Sequence, residues 1–325
     1  MRRLISHITN LILKYFDLTI VKKSKLDALM WKNDALTALH EKRTQWIPRV
    51  SKYPAEVIVF SKDRALQLHA LLGSYFEKVF SPVPIHVLYQ TSSSEHQKAY
   101  QEVFELYSCY DTSAVRQKDD YSFRTDLIEM LESVHAGKIF FLVDDDLFIE
   151  DVDMYDFTKF DTDKFVPSLR MGLNLTRCYT KQQSQQLPEY VPDIMDKSDK
   201  ISWEWNSGAY DWGYPLSVDG HLFATQEIID ISKIISFNSP NTFEANLQQF
   251  LRLFTCRLGV SCRKSRIVNI PYNKVQRDNE NICGDIHQDE LLDYWRNGLQ
   301  LDYRELYGFM NESVHELIKI KLIKR

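Results

Sequence analysis

Lys138-Ile139-Phe140-Phe141-Leu142-Val143-Asp144-Asp145-Asp146-Leu147-Phe148-Ile149 runs from an apolar segment straight into three carboxylates. Five of its first six residues are apolar and rich in aromatic and β-branched types, the pattern of a parallel strand covered on both faces. The acids stand where the strand ends. In an open α/β sheet, ligands bind in the crevice beyond the carboxyl ends of the strands, so this edge is a candidate site. Three adjacent carboxylates repel one another, and a divalent cation relieves that best, hard oxygen ligands suiting Mn²⁺ or Mg²⁺. A solvated acidic turn is the alternative, and the strand before it counts against that.

Upstream, the same grammar repeats. Glu56-Val57-Ile58-Val59-Phe60 reads as a buried strand, Ser61-Lys62-Asp63-Arg64 as a polar turn, and residues 65–76 as a helix presenting Leu66, Leu68, Leu71, Leu72, Tyr75 and Phe76. Residues 84–90 form the next strand and 95–107 the next helix. Residues 122–131 are a helix leading into the acidic strand. Arg124 and Asp126 fall near its start, where they could face the crevice or form a structural ion pair. Strands alternating with helices predict a mostly parallel, doubly wound sheet flanked by helices. No Gly-x-Gly-x-x-Gly follows the first strand, and there is no Walker loop. A nucleotide bound here must have its phosphates held by polar side chains and a metal.

Downstream, residues 150–163 read as an acidic, aromatic surface turn, and buried structure resumes at 165–172. Residues 182–200, punctuated by Pro188 and Pro192, read as a mobile loop. Trp203, Trp205 and Trp212 then fall within ten residues, with Asp211, Tyr214 and His221 nearby. Aromatic rings beside carboxylates suit a sugar-binding surface, since ring faces stack on C–H groups while polar side chains catch hydroxyls. A hydrophobic core corner is the alternative. Ser239 to Asn246 is a turn entering a helix, with Asn241 or Thr242 as expected N-cap and Glu244 in its first turn. Residues 265–273 look like a final strand, and His287 follows in a polar loop. Residues 289–325 read as helices, the last of them basic and amphipathic.

The net charge of −5 argues against general nucleic-acid binding. Five scattered cysteines without a Cys-x-x-Cys pair fit a reducing cytoplasm and argue against a zinc site. No segment approaches the roughly 20 apolar residues of a spanning helix. Residues 1–21 form an amphipathic helical pattern, and residues 1–25 hold six Lys or Arg against one Asp. Such a terminus suits an anionic membrane surface, or else packing on the protein's own body. A second helical pattern through residues 26–39 reads as a stalk, a self-association helix or a cover for the sheet.

From Glu56 to His287 these features resemble the GT-A glycosyltransferases, in particular the family-2-like bacterial group. The resemblance implies a GT-A-like domain over 54–288, with helical extensions over 1–50 and 289–325. It implies a metal-dependent enzyme moving a sugar from a nucleotide-sugar to a glycan or lipid-linked acceptor in surface polysaccharide synthesis. Ser61, Lys62, Asp63, Arg64, Arg124, Asp126, Asp144 and Asp145 would bind the donor. The Asp-x-Asp motif and a late histidine would hold Mn²⁺ or Mg²⁺ through Asp144, Asp146 and His287. Trp203, Trp205, Asp211, Trp212, Tyr214 and His221 would meet the acceptor, and Asp219 or Glu244 would be the base of an inverting reaction. A clear Glu-Asp pair of the usual family-2 type is missing, which leaves the base and the stereochemistry open. The expected place is the cytoplasm, with peripheral contact at the inner leaflet and oligomerisation through the N-terminal helices. A sugar nucleotidyltransferase is one alternative, although Ser61–Arg64 lacks the glycine its phosphate loop would use. A non-catalytic glycan-binding scaffold is the other.

Overall fold

The computed structural model describes residues 23–119, 121–192, 199–273, 284, 286–319 and 321–325. The chain divides into two compact units, Met1–Trp46 and Ile47–Arg325. In the first, helix α1 (Lys23–Arg43) covers the second N-terminal helical pattern. The amphipathic helix expected over 1–21 lies outside the described residues. Among the described residues no helix is long and apolar enough to cross a membrane.

The second unit opens with β1 (Glu56–Lys62), α2 (Ala65–Lys78), β2 (Ile85–Gln90), α3 (Ser94–Leu106), β3 (Thr112–Arg116), α4 (Phe123–Ser133) and β4 (Lys138–Val143). It continues through β5 (Asp146–Phe148), α5 (Met154–Thr158), β6 (Phe165–Pro167), β7 (Arg177–Cys178), β8 (Gln183–Ser184), β9 (Tyr190–Pro192), β10 (Lys200–Glu204) and β11 (Leu222–Ala224). Helices α6 (Thr225–Ile234), α7 (Pro240–Leu247) and α8 (Leu251–Thr255) follow. The chain closes with β12 (Leu258–Cys262), β13 (Ile267–Asn269), α9 (Gln288–Arg296), β14 (Leu299–Leu301) and β15 (Leu322–Lys324).

The main sheet has the order β11-β4-β1-β2-β3, with only β11 antiparallel. This is the mostly parallel α/β sheet flanked by helices that the GT-A resemblance implies. Alternation along β1 explains why both faces are covered. Val57 and Val59 join the core with Leu68, Leu71 and Leu72 of α2, while Phe60 packs the other way against Phe123 of α4 and Phe141 of β4, at centroid distances of 5.5 and 5.6 Å. The acidic turn therefore leaves the sheet beside the end of β1, as β4 and β1 pair in register up to Val143 and Phe60.

Several segments differ from the sequence reading. Strand β3 was not legible because it is an exposed edge, with no apolar alternation to reveal it. The region after the acids contains α5, capped by Asp153, whose carboxylate accepts the Tyr155 N–H at 3.0 Å. The expected loop over 182–200 contains β8 and β9, and β9 pairs with β10 in a second sheet of order β6-β12-β10-β9. The late strand β13 pairs antiparallel with β5 and so buttresses the acidic turn rather than extending the main sheet. Helix α7 is capped by Ser239 through a capping box with Thr242, with Pro240 at its start, so Asn241 and Thr242 are inside the helix and Glu244 lies past the first turn. After α9, the last segment forms β15 on β14 rather than an amphipathic helix.

Candidate active site

The end of β1 and the acidic turn are joined by buried polar contacts. Asp144, 3% exposed, accepts from the Ser61 hydroxyl at 2.7 Å, the Lys62 N–H at 3.3 Å and Arg64 Nη1 at 2.9 Å. The same Arg64 nitrogen reaches Asp145 Oδ2 at 2.6 Å, and Nη2 donates to the carbonyl of Asn273. Asp63 stands at φ 54°, in the left-handed region that Asp tolerates, and accepts the Ser92 N–H at 2.7 Å. Its second oxygen is buried without a partner among the described residues. The Arg64 N–H donates to the Tyr100 hydroxyl at 3.0 Å, which pins the turn from α3.

Burial raises all three aspartates above the ordinary carboxylate range. For Asp144 the Arg64 charge opposes this. Asp145 is pushed up to about 7 by burial, with Arg64 opposing and Asp144 and Asp219 adding to the rise. Asp146 is raised by burial and then by Asp219. Yet Asp146 does not face the crevice. It is fully buried, one oxygen accepting the Val143 N–H at 3.0 Å and the other the Asn269 side-chain amide at 3.1 Å. It closes the turn between β4 and β5 and holds β13 onto it.

The opposite wall comes from the loop before β11 and from α7. Asp219 Oδ2 lies 3.3 Å from Arg170 Nη1 and 3.3 Å from His315 Nε2. Burial works against its charge, but His315 and Arg170 outweigh this and hold its pKa below the usual value. Glu244 accepts from the Tyr214 hydroxyl and the Val218 N–H, each at 2.9 Å. Burial, then the Asp219 charge, raise its pKa. Two neighbouring acids are thus driven apart, Asp219 toward its ionised form and Glu244 toward its protonated one.

Both walls line one cavity of about 1040 Å³, large enough for a nucleotide-sugar. Ser61, Lys62, Asp63, Arg64, Asp144, Asp145, Asp211, Tyr214, Asp219, Glu244 and His287 all line it. So do Arg170, Lys181, Asn269, Asn273 and His315, which the sequence reading did not single out. None of these carries a motif, and only the fold brings them to the cavity.

Other expected site residues lie elsewhere. Trp203, Trp205 and Trp212 are at most 2% exposed, and Trp203 packs on the other two at 4.8 and 4.9 Å. The Trp203 and Trp212 ring N–H groups donate to the carbonyls of Trp212 and Leu175. They form a core corner, with no ring face open to a sugar. His221 is fully buried against the Pro215 carbonyl, and burial with the Arg170 charge pushes its pKa down to about 3. Arg124 donates to the carbonyls of Ile235 and Lys233 at the end of α6. Asp126 turns to the Lys118 N–H and the Ser122 hydroxyl. None of these six residues lines the cavity.

The expected metal set does not assemble. Both Asp144 oxygens are engaged, Asp146 is turned inward, and His287 caps α9 by accepting the Asp289 N–H at 3.3 Å. Among the described residues no group of three or more His, Cys, Asp or Glu side chains is placed to hold a metal ion.

The chain thus has a mostly parallel α/β sheet with a cavity lined by acidic side chains at its carboxyl edge. The chain is similar in sequence to the bifunctional glycosyltransferase pgtA of Dictyostelium discoideum, at 23% identity over 215 residues. That match covers 58% of this chain and spans 27% of the length of the relative. No protein-family model matches the chain. Among solved structures, residues 1–349 of TarS from S. aureus are similar over 66% of this chain and 60% of that one, with 14% identity and a TM-score of 0.44. A nucleotidyl transferase from Methanothermobacter thermautotroptrophicus is similar over 65% and 88%, with 11% identity and a TM-score of 0.37.

Proposed function

We propose that this chain transfers a sugar from a nucleotide-sugar to a hydroxyl of a glycan or lipid-linked acceptor. One observation carries the reading: the β1 and β4 ends, with Ser61–Arg64 and Asp144–Asp145, line a single cavity together with Asp219 and Glu244. The similarity to a glycosyltransferase agrees with it. Nucleotide and ribose would lie against the β1 turn, where the unpartnered oxygen of Asp63 waits for a donor.

Transfer needs negative charge stabilised on the leaving diphosphate and a base within reach of the acceptor hydroxyl. Lys62, Lys181 and Arg170 bring positive charge to the cavity wall. Glu244 is the candidate base: it stands on the cavity wall between the Tyr214 hydroxyl and the Val218 N–H, and burial with the Asp219 charge raises its affinity for a proton. Asp219, kept ionised by Arg170 and His315, orients the acceptor. No metal step enters this scheme, since the oxygens of Asp144 and Asp146 are already bonded within and beside the turn. The basic sequence of residues 1–25 supports a position at the inner membrane leaflet, and deleting it should move the protein to the soluble fraction.

The test is release of nucleoside diphosphate from a panel of UDP-, GDP-, dTDP- and CDP-sugars. One donor should be turned over by the wild type, and Glu244→Gln should abolish most of that turnover. If no donor is turned over while a glycan still binds, the scaffold reading takes its place.

A further inference from the structure

A diphosphate brought to this edge meets Asp144 and Asp145, and like charges so close need a cation between them. The chain supplies one. Arg64 bridges the two carboxylates at 2.9 and 2.6 Å, and its side chain is only 10% exposed. Its backbone is fixed by the Tyr100 hydroxyl, and its buried Nε–H has no partner among the described residues. A guanidinium offers five N–H donors in a rigid fork, so two carboxylates and one carbonyl do not exhaust it. A divalent ion in the same place would find most of the oxygens committed, those of Asp144 to Ser61, Lys62 and Arg64 and those of Asp146 to Val143 and Asn269, which leaves of the three aspartates only Oδ1 of Asp145 without a partner among the described residues, one ligand where such an ion takes about six.

We propose that Arg64, rather than a divalent metal, is the cation that couples the aspartates of this edge to the donor's diphosphate. The proposal rests on the nucleotide-sugar reading of the cavity. The aspartates then hold and aim Arg64, and the free side of its fork meets phosphate oxygens. Lys62 and Lys181, lining the same cavity, add to the positive field.

Calorimetric titration with UDP, GDP, dTDP and CDP, each in EDTA and in Mn²⁺, tests this on the wild type and on Arg64→Gln, with Mn²⁺ alone as a further titrant. For the nucleotide that binds, the wild-type Kd in EDTA should stay within about threefold of that in Mn²⁺, and Mn²⁺ alone should not bind. Loss of the charged fork should weaken binding in EDTA by about tenfold or more. In that variant the released aspartates should take up Mn²⁺ even without nucleotide. Wild-type binding that appears only with Mn²⁺, or wild-type binding of Mn²⁺ alone, overturns the proposal while leaving the donor site standing. If no nucleotide binds under any condition, the donor-site reading falls and the proposal with it. The EDTA and Mn²⁺ comparison on the wild type needs no variant to fold.

Discussion

Replacing Glu244 by glutamine should separate chemistry from stability. The side chain accepts the Tyr214 hydroxyl on one oxygen and the Val218 N–H on the other. A glutamine amide can keep both contacts: its oxygen stays on Val218, whose N–H can only donate, and its NH₂ turns to Tyr214, whose hydroxyl can reverse and accept. The reversed Tyr214 O–H then loses the oxygen it donated to, a change of about 1 kcal/mol. The charge penalty disappears at the same time. Because burial and Asp219 raise the folded-state pKa of Glu244, its contribution to stability is fully present below the unfolded value and is lost as pH rises through the folded one. The variant should therefore lie within about 1 kcal/mol of the wild type at pH 4 and gain on it at pH 8, where the wild type carries the buried charge. Urea denaturation at the two pH values measures this. Turnover of the donor should meanwhile fall about 10²- to 10⁴-fold, the usual worth of a positioned general base. A variant that is destabilised by more than ~1 kcal/mol at pH 8, or that keeps wild-type turnover, refutes the reasoning.

At the far edge of the sheet, Glu56 accepts from His86 at 2.6 Å and from the backbone of His135 and Ala136. Burial opposes its charge, but these donors prevail and hold its pKa below the ordinary value. The stability it contributes is present above the unfolded pKa and lost as pH falls through the folded one. Glu56→Gln should cost about 2 kcal/mol at pH 7 and much less at pH 3, by thermal unfolding. Gly259 faces Trp203 across the second sheet, and an added Cβ would lie 2.3 Å from the ring. Since that ring is boxed in by two others, Gly259→Ala should cost about 1–3 kcal/mol in urea unfolding. Arg257 and Glu227 form a bidentate pair, 3% and 0% exposed. Removing Glu227 alone should cost about 3–5 kcal/mol, and a double change to apolar residues should recover much of it.

The parts of the fold that could be read in the sequence were those in which pattern and burial agree. Strands β1, β2 and β4 are covered on both faces, so their runs of Val, Ile and Phe announce them. The polar ends of β1 and β4 meet because parallel neighbours in register deliver their turns to the same edge. What misled was composition without partners. The tryptophans have the chemistry of a sugar platform, yet their neighbours across β10 and β12, above all Gly259, draw them inward. Asp146 belongs to the acidic run but serves the turn, because Asn269 from a strand more than a hundred residues later reaches it. Arg170 and His315 stand in no recognisable pattern, and only tertiary structure sets them on Asp219.

The most direct test of the account is amide hydrogen exchange on the full chain, with and without the nucleoside diphosphate that binds tightest in the calorimetric panel. Slower exchange at residues 61–64 and 144–145 is the predicted result, because the ligand would brace the joint between β1 and the acidic turn. Unchanged exchange there, with protection appearing instead at another surface such as the groove between Phe160 and Leu258, would contradict it.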